Sequence, residues 1–395
     1  MSVPARPEVL LLITDAGGGH RAAANALVAA AERPGRPFGL RILPIQEALL
    51  PADPWHRLTG RSLESAYNDM VRAGRTRHLV PLLRLGQWLA RCVHGRLVGC
   101  LARVLREARP AAVVSLMPNV NAVARDAVRS ALPGAPFLVA LTDYVDFPPH
   151  FWLEPGCDRV VVGSAEALEQ GLALGIPREH LTRSSGMILH PRHDLADRAG
   201  ARDLVRAEFG ISRDAFTALV LFGGKGSPEV VEVASALLRE SLDAHAIAVC
   251  GDNPPLLARA RQEARELGGR LHPLGFSERI PELMAAADVL LSKPGPGSLA
   301  EAFHAGLPVA AIENAYTVPQ ERANARLLRE RELGLVASSA RELGAIAADL
   351  SRGSDRLARL RAAVAALPRN RAAHECLAAI EGELRERALL AGAPG

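Results

Sequence analysis

The sequence predicts an α/β protein built as two parallel-sheet domains. Three observations carry that reading. Short β-branched runs alternate with longer helical patterns, as buried parallel strands and their crossover helices do. The alternation occurs twice, on either side of a segment rich in Gly, Pro and charge, Ser184–Ala201. The chain has 395 residues, enough for two domains of roughly 100–200 residues each.

The elements follow in order. In the first half, Glu8–Thr14, Leu40–Ile45, Ala111–Leu116, Phe137–Thr142 and Arg159–Val162 read as buried strands. Ala-rich helices over His20–Ala31 and Asn119–Ser130 lie between them. In the second half, Ala218–Phe222, Ile247–Cys250, Leu271–Leu274, Val289–Ser292, Val309–Ile312 and Leu335–Ala337 read as strands. Helices are expected over Pro228–Glu240, Ile280–Ala286, Ser298–Ala305 and Gln320–Glu332. Asp355 to Leu390 reads as helices without strands. The expected division is 1–190, 200–370, and a final helical segment 371–395 that packs back towards the first domain.

Composition narrows the function classes. Aromatic residues make up 4% of the chain, which argues against base-stacking nucleic-acid folds. The five cysteines are scattered, so neither a disulfide framework nor a structural zinc site is expected, and a reducing compartment fits. No apolar run approaches the roughly 20 residues of a membrane span, and no signal peptide is apparent. The expected location is the cytoplasm, or the cytoplasmic face of a membrane. Net charge is +4, but His56–Arg109 alone carries eleven Arg against three acids. Lysine occurs only as Lys225 and Lys293, each inside a glycine-rich loop.

In such folds ligands bind where strands end and helices begin. Four junctions therefore stand out. Asp15–Arg21 (DAGGGHR) follows the first strand and opens a helix. Gly18 and Gly19 let a ligand approach the backbone, and the helix start offers free N–H groups. His20 at that positive end is expected to be neutral, and so poised as a general base near pH 7. A tight turn followed by a surface histidine is the plainer alternative. Phe222–Ser227 (FGGKGS) lacks the ending of a nucleotide-triphosphate loop. Gly224 and Lys225 would still admit a diphosphate, and an ordinary strand–helix turn fits equally. Ser292–Ser298 (SKPGPGS) places Lys293, Gly297 and Ser298 before a helix, with Ser298 as the expected N-cap. Glu301 three residues on is either the partner in a capping box or a carboxylate for ribose hydroxyls. Pro319–Asn324 (PQERAN) sets Gln320, Glu321 and Asn324 at a helix start, as a sugar site or a solvated first turn. Asp143 ends a strand and is held as an acceptor-side carboxylate. No DxD sequence occurs, so no metal is expected on a diphosphate.

The basic stretch has its own pattern. Leu82, Leu85, Leu89, Val93, Leu97, Leu101 and Val104 recur at helical spacing among Arg84, Arg91, Arg96, Arg103 and Arg106. An interfacial helix on anionic lipid and a core helix with a solvated arginine face both fit.

Taken in order, these segments resemble the family-28 glycosyltransferases of the GT-B fold. The resemblance is to the branch of monogalactosyldiacylglycerol synthases and processive diacylglycerol glucosyltransferases. It is carried by Thr14–Leu27 (TDAGGGHRAAANAL), Tyr67–Gly74 (YNDMVRAG), Leu141–Trp152 (LTDYVDFPPHFW), Phe222–Gly226, Leu274–Val309 and Pro319–Asn324. The resemblance implies two Rossmann-like parallel-sheet domains facing across a cleft. It implies that His20 deprotonates the acceptor and that Glu301 holds the ribose of UDP. Gly275–Phe276 would meet uracil, Gly297–Ser298 the diphosphate, and Gln320 and Glu321 the donor sugar, with Asn324 nearby.

The implied function is inverting transfer of a hexose from a UDP-sugar to diacylglycerol or a glycosylated diacylglycerol. The partners expected are the UDP-sugar, the lipid and an anionic membrane surface, with no nucleic acid and no metal cofactor. Transfer to a polyprenyl-linked acceptor, UDP-sugar 2-epimerisation and silent UDP-sugar binding are the competing readings.

Overall fold

A computed structural model describes residues 6–14, 18–32, 35–52, 56, 60, 65, 79–353 and 355–390. The Tyr67–Gly74 segment, Asp15–Gly17 and most of 53–78 lie outside the described residues. The chain divides into two compact units. The first comprises 1–191, 318–320 and 370–395, and the second 192–317 and 321–369.

The first unit is a six-stranded, all-parallel sheet in the order β2-β1-β3-β4-β5-β6. Its strands are β1 (Glu8–Ile13), β2 (Gly39–Pro44), β3 (Ala112–Ser115), β4 (Phe137–Ala140), β5 (Arg159–Val162) and β6 (Leu181–Arg183). β1 shows why the strand sequence is apolar throughout. Val9, Leu11 and Ile13 pack with Leu27 of α1 (Gly19–Ala31) and with Leu377, Ile380 and Leu384 near the chain's end. Leu10 and Leu12, on the other face, pack with Leu101 and Leu105 and with Ala124 and Val128. Both faces are covered, so alternation disappears. Each Leu buried this way contributes about 2 kcal/mol.

The basic stretch forms two helices, where the sequence pattern reads as one. α2 (Leu79–Cys92) and α3 (His94–Ala108) are separated at Val93, which leaves helical geometry. β-branched Val93 and Gly95 are both poor helix formers at that point. The two helices differ in what they expose. α3 buries Leu97, Leu101 and Leu105 and exposes Arg96, Arg103 and Arg106, so it is a core helix with a solvated arginine face. α2 leaves Trp88 59% and Leu85 41% exposed, beside exposed Arg84 and Arg91. α4 (Asn121–Ala131) and α5 (Ala165–Ala173) complete the crossovers.

The second unit is also six-stranded and all-parallel, in the order β12-β11-β10-β7-β8-β9. The strands are β7 (Thr217–Leu221), β8 (His245–Val249), β9 (Leu271–Leu274), β10 (Val289–Ser292), β11 (Val309–Ile312) and β12 (Gly334–Ala337). The helices are α6 (Arg198–Glu208), α7 (Glu229–Glu240), α8 (Pro254–Glu266), α9 (Ile280–Ala286), α10 (Pro296–His304), α11 (Pro319–Glu330, its first two residues counted with the first unit), α12 (Ala340–Ser351) and α13 (Asp355–Ala365). The order reverses between β7 and β10, the switch point at which such sheets bind ligands. The last helix, α14 (Ala372–Glu386), belongs to the first unit and buries Cys376, Leu377, Ile380 and Leu384 there. No helix among the described residues is long and apolar enough to cross a membrane.

Candidate functional site

The first unit places its candidates at the switch point between β1 and β3. Gly18 is the N-cap of α1, with φ +82°, a left-handed conformation that favours glycine. A side chain on Gly19 would meet nothing within 4 Å among the described residues. His20 follows, its Nδ1 3.0 Å from the hydroxyl of Thr142. Its ring lies edge-on to Trp152, centroids 5.6 Å apart. Burial lowers the imidazole to about 4, and the Leu116 carbonyl opposes that shift in part. The sequence reading expected a histidine poised near pH 7 through the helix start. Desolvation by its neighbours is the dominant cause, and it takes the group well below that.

Asp143 lies in the same cluster. Its Oδ2 accepts from Nε1 of fully buried Trp152 at 2.8 Å. That bond fixes the indole against which His20 rests. The loop itself is organised by Asp146, whose carboxylate accepts from the backbone N–H of Trp152 at 2.6 Å and of His150 at 2.9 Å. Burial raises the Asp146 carboxyl, and those N–H groups offset the shift in part.

The second unit brings the loops after β7 and β10 side by side. A Cβ on Gly223 would come within 3.9 Å of the Lys293 side chain. Gly226, at φ +67°, has no room for a side chain because the Cys250 carbonyl occupies it. Gly224 meets nothing within 4 Å and is open to a ligand. Its carbonyl accepts from the Asp252 N–H at 2.9 Å. Lys225 is 86% exposed and 3.6 Å from Asp252, a pair worth little in water.

α10 begins at Pro296 with Gly295 as N-cap. The expected N-cap at Ser298 is therefore corrected: Ser298 stands inside the first turn. Proline at the first helical position sets the start two residues earlier. The capping-box role for Glu301 falls with it, since Glu301 is then in the second turn. The backbone N–H groups of Gly297 and Ser298 have no acceptor among the described residues, so the helix start is available to an anion.

Glu301 lies 3.7 Å from Nε2 of buried His193. Burial raises its carboxyl to about 7, against a smaller opposing effect of Arg192. The remaining candidates meet at α11. Lys293 Nζ reaches Glu321 Oε1 at 2.5 Å. Asn324, 1% exposed, donates to the Pro294 carbonyl at 2.8 Å. The Oδ1 of Asn324 and the Oε1 of buried Gln320 have no partner among the described residues, so both remain able to accept from a ligand. Gly275 and Phe276 follow β9, and the Phe276 ring is 67% exposed.

Sequence reasoning singled out neither His193 nor Asp252, and held Thr142, Asp146 and Trp152 only within a motif. The partners of Glu301 and His20 are distant in sequence, and no local spacing reveals them. Among the described residues, no group of three or more His, Cys, Asp or Glu is placed to hold a metal.

Comparison with known proteins bears on the fold and on the second unit. Residues 217–369 match the glycosyltransferase family 28 C-terminal domain. Monogalactosyldiacylglycerol synthase 2 of Arabidopsis thaliana is 26% identical over 354 residues, covering 86% of this chain and 72% of that protein. Among solved structures, MurG of Acinetobacter baumannii superposes with a TM-score of 0.60 at 13% identity, over 95% of this chain and all of that one. HepE of Anabaena in complex with UDP gives 0.54 at 16% identity, covering 97% and 99%. MnaA of S. aureus with UDP gives 0.61 at 14% identity, covering 96% and 97%. The chain has the fold of the GT-B glycosyltransferases, residues 217–369 match the glycosyltransferase family 28 C-terminal domain, and together these support a UDP-sugar glycosyltransferase.

Proposed function

We propose that the protein transfers a hexose from a UDP-sugar to the hydroxyl of diacylglycerol or a glycosylated diacylglycerol, with inversion at the anomeric carbon. The observation that carries this reading is His20, a neutral imidazole held by Thr142 and Trp152. A neutral imidazole has one lone pair free to take a proton. In the proposed step His20 accepts the proton of the acceptor hydroxyl. The acceptor oxygen bonds to C1, and the bond from C1 to the diphosphate oxygen breaks. UDP leaves with the electron pair, and the amides of Gly297 and Ser298 and the Lys293 ammonium meet its charge. A base of pKa about 4 accepts weakly. Negative charge on the reacting donor favours the imidazolium and raises that value during the step.

On the donor, Glu301 accepts from the ribose hydroxyls, and the backbone at Gly275–Phe276 meets the uracil. Gln320, Glu321 and Asn324 hold the sugar, and Gly224 and Lys225 border the diphosphate. No metal takes part. The lipid acceptor is supported by the monogalactosyldiacylglycerol synthase relatives and by α2. There exposed Trp88 and Leu85 stand beside Arg84 and Arg91, the composition of a helix that rests on an anionic membrane surface. The site of action under this reading is the cytoplasmic face of the membrane.

The test is UDP release from a panel of UDP-sugars, with and without vesicles carrying diacylglycerol and anionic lipid. Release that requires the lipid and persists in EDTA supports the reading. Isomerised UDP-sugar without any acceptor would replace it with a 2-epimerase, and binding without turnover would leave a silent binding protein.

A further inference from the structure

The second unit has a cavity of about 480 Å³ lined by Arg198, Arg202, Asp288 and Arg361. It lies where the chain enters β10 and β11, at Ala285–Asp288 and Ala305–Pro308. These are the N-terminal ends of the parallel strands. The loops carrying Gly224, Lys293 and Gly297 follow the C-terminal ends, so the cavity is separate from the donor site.

Its charge is unbalanced. Arg202 and Arg361 reach Asp288 Oδ1 at 3.0 and 2.7 Å, and Arg206 reaches Oδ2 at 3.0 Å. The Thr217 N–H also donates to Oδ2, at 2.8 Å. Four donors fill the acceptor positions of one carboxylate, and its single charge offsets one of four guanidiniums. Buried Arg206 is satisfied by the carbonyls of Ala286, Ser212, Arg213 and Ala215, and Arg202 Nη1 by those of Ala285, Ala286 and Ala287 at 3.2 Å, as structural arginines should be. Arg198 is not: it has no hydrogen-bond or ion-pair partner among the described residues. The nearby acids are already engaged. Asp197 caps α6 through the Gly200 N–H at 2.8 Å. Asp194 pairs with Arg369 at 2.9 Å and His304 at 3.3 Å. Burial and the charge of Arg202 push the Arg198 guanidinium below its ordinary value.

We propose that this cavity binds a phosphate ester, with Arg198 and Arg361 as its guanidinium ligands and Arg202 adding positive charge beside them. Guanidinium forks match phosphate oxygens in pairs, and three uncompensated positive charges match a dianion and exceed what a carboxylate offsets. The volume lies within the range of about 300–1,000 Å³ for small-ligand pockets, so the ester carries a small body. That phosphate comes either from a soluble ester or from a lipid headgroup.

The test uses the full chain with its donor site saturated by UDP. Calorimetry measures glycerol 3-phosphate, and cosedimentation measures phosphatidylcholine vesicles with and without phosphatidylglycerol. Arg198→Gln is the main variant, because Arg198 has no bonding partner among the described residues and its loss is expected to leave the fold intact. Arg361→Gln is the second. Saturable binding of glycerol 3-phosphate, weakened tenfold or more by both variants, establishes a soluble-ester site. Phosphatidylglycerol-dependent vesicle binding, weakened by both while the soluble ester does not bind, establishes a headgroup site. Binding that Arg198→Gln leaves unchanged, or no binding of either probe, overturns the proposal.

Discussion

The protonation of Glu301 sets a sharp expectation for donor binding. Burial raises this carboxyl from 4.5 to about 7, while its proposed task is to accept from two ribose hydroxyls as a carboxylate. At that value the ionised fraction falls from about 0.9 at pH 8 to about 0.1 at pH 6, so donor affinity should fall roughly tenfold between them. The ligand should be a UDP-sugar rather than UDP, because a terminal phosphate titrates in the same range. Calorimetry without acceptor gives the affinity directly. Glu301→Gln should remove the pH dependence and weaken binding by about 2 kcal/mol even at pH 8, the scale of hydrogen bonds to a charged group. Folding stability carries the opposite sign. Between pH 4.5 and 7 the folded chain holds a proton that the unfolded chain has released. Ligand-free stability therefore falls as pH rises through that window, by on the order of 3 kcal/mol at most. Wild-type affinity that is flat from pH 6 to 8, or a Glu301→Gln variant with the wild-type slope, refutes the ribose role.

Other expectations follow from the loops and from α2. Gly226→Ala forces a Cβ onto the Cys250 carbonyl at a positive φ; it should cost about 2 kcal/mol or more and lower the Tm by several degrees. Gly224→Ala, where the space is empty, should keep the Tm and weaken UDP-sugar binding, and unchanged binding would remove Gly224 from the donor site. Trp88→Ala together with Leu85→Ala should reduce binding to anionic vesicles roughly tenfold while leaving thermal stability unchanged. If vesicle binding persists in that double variant, α2 is not the membrane-facing element.

Much of the layout is legible in the chain because both sheets are covered on both faces. β1, β7 and β10 must be continuously apolar, and such runs stand out between turns. β6, Leu181–Arg183, escaped because three residues carry no pattern. The break at Val93 escaped because the apolar spacing continues across it while the backbone does not. Pro296 did announce the start of α10, and the pull of Ser298 as a capping residue hid it. The glycine-rich junctions mark where a ligand comes close, since open backbone is written locally. The states of the groups there are not. His20 owes its low pKa mainly to burial by distant parts of the chain, and Thr142, its hydrogen-bond partner, lies 122 residues away. Glu301 owes its raised pKa to burial in a helix that His193 approaches from the start of the unit. The cavity beside Asp288 draws its arginines from α6 and α13, which no spacing rule connects.

The most direct measurement of the central claim is UDP release by His20→Ala, beside wild type, on diacylglycerol vesicles with the preferred UDP-sugar. A neutral base that takes the acceptor proton predicts a loss of about 10²–10⁴ in rate with donor affinity unchanged. A variant that keeps the wild-type rate would contradict the account, because the acceptor would then be activated without His20.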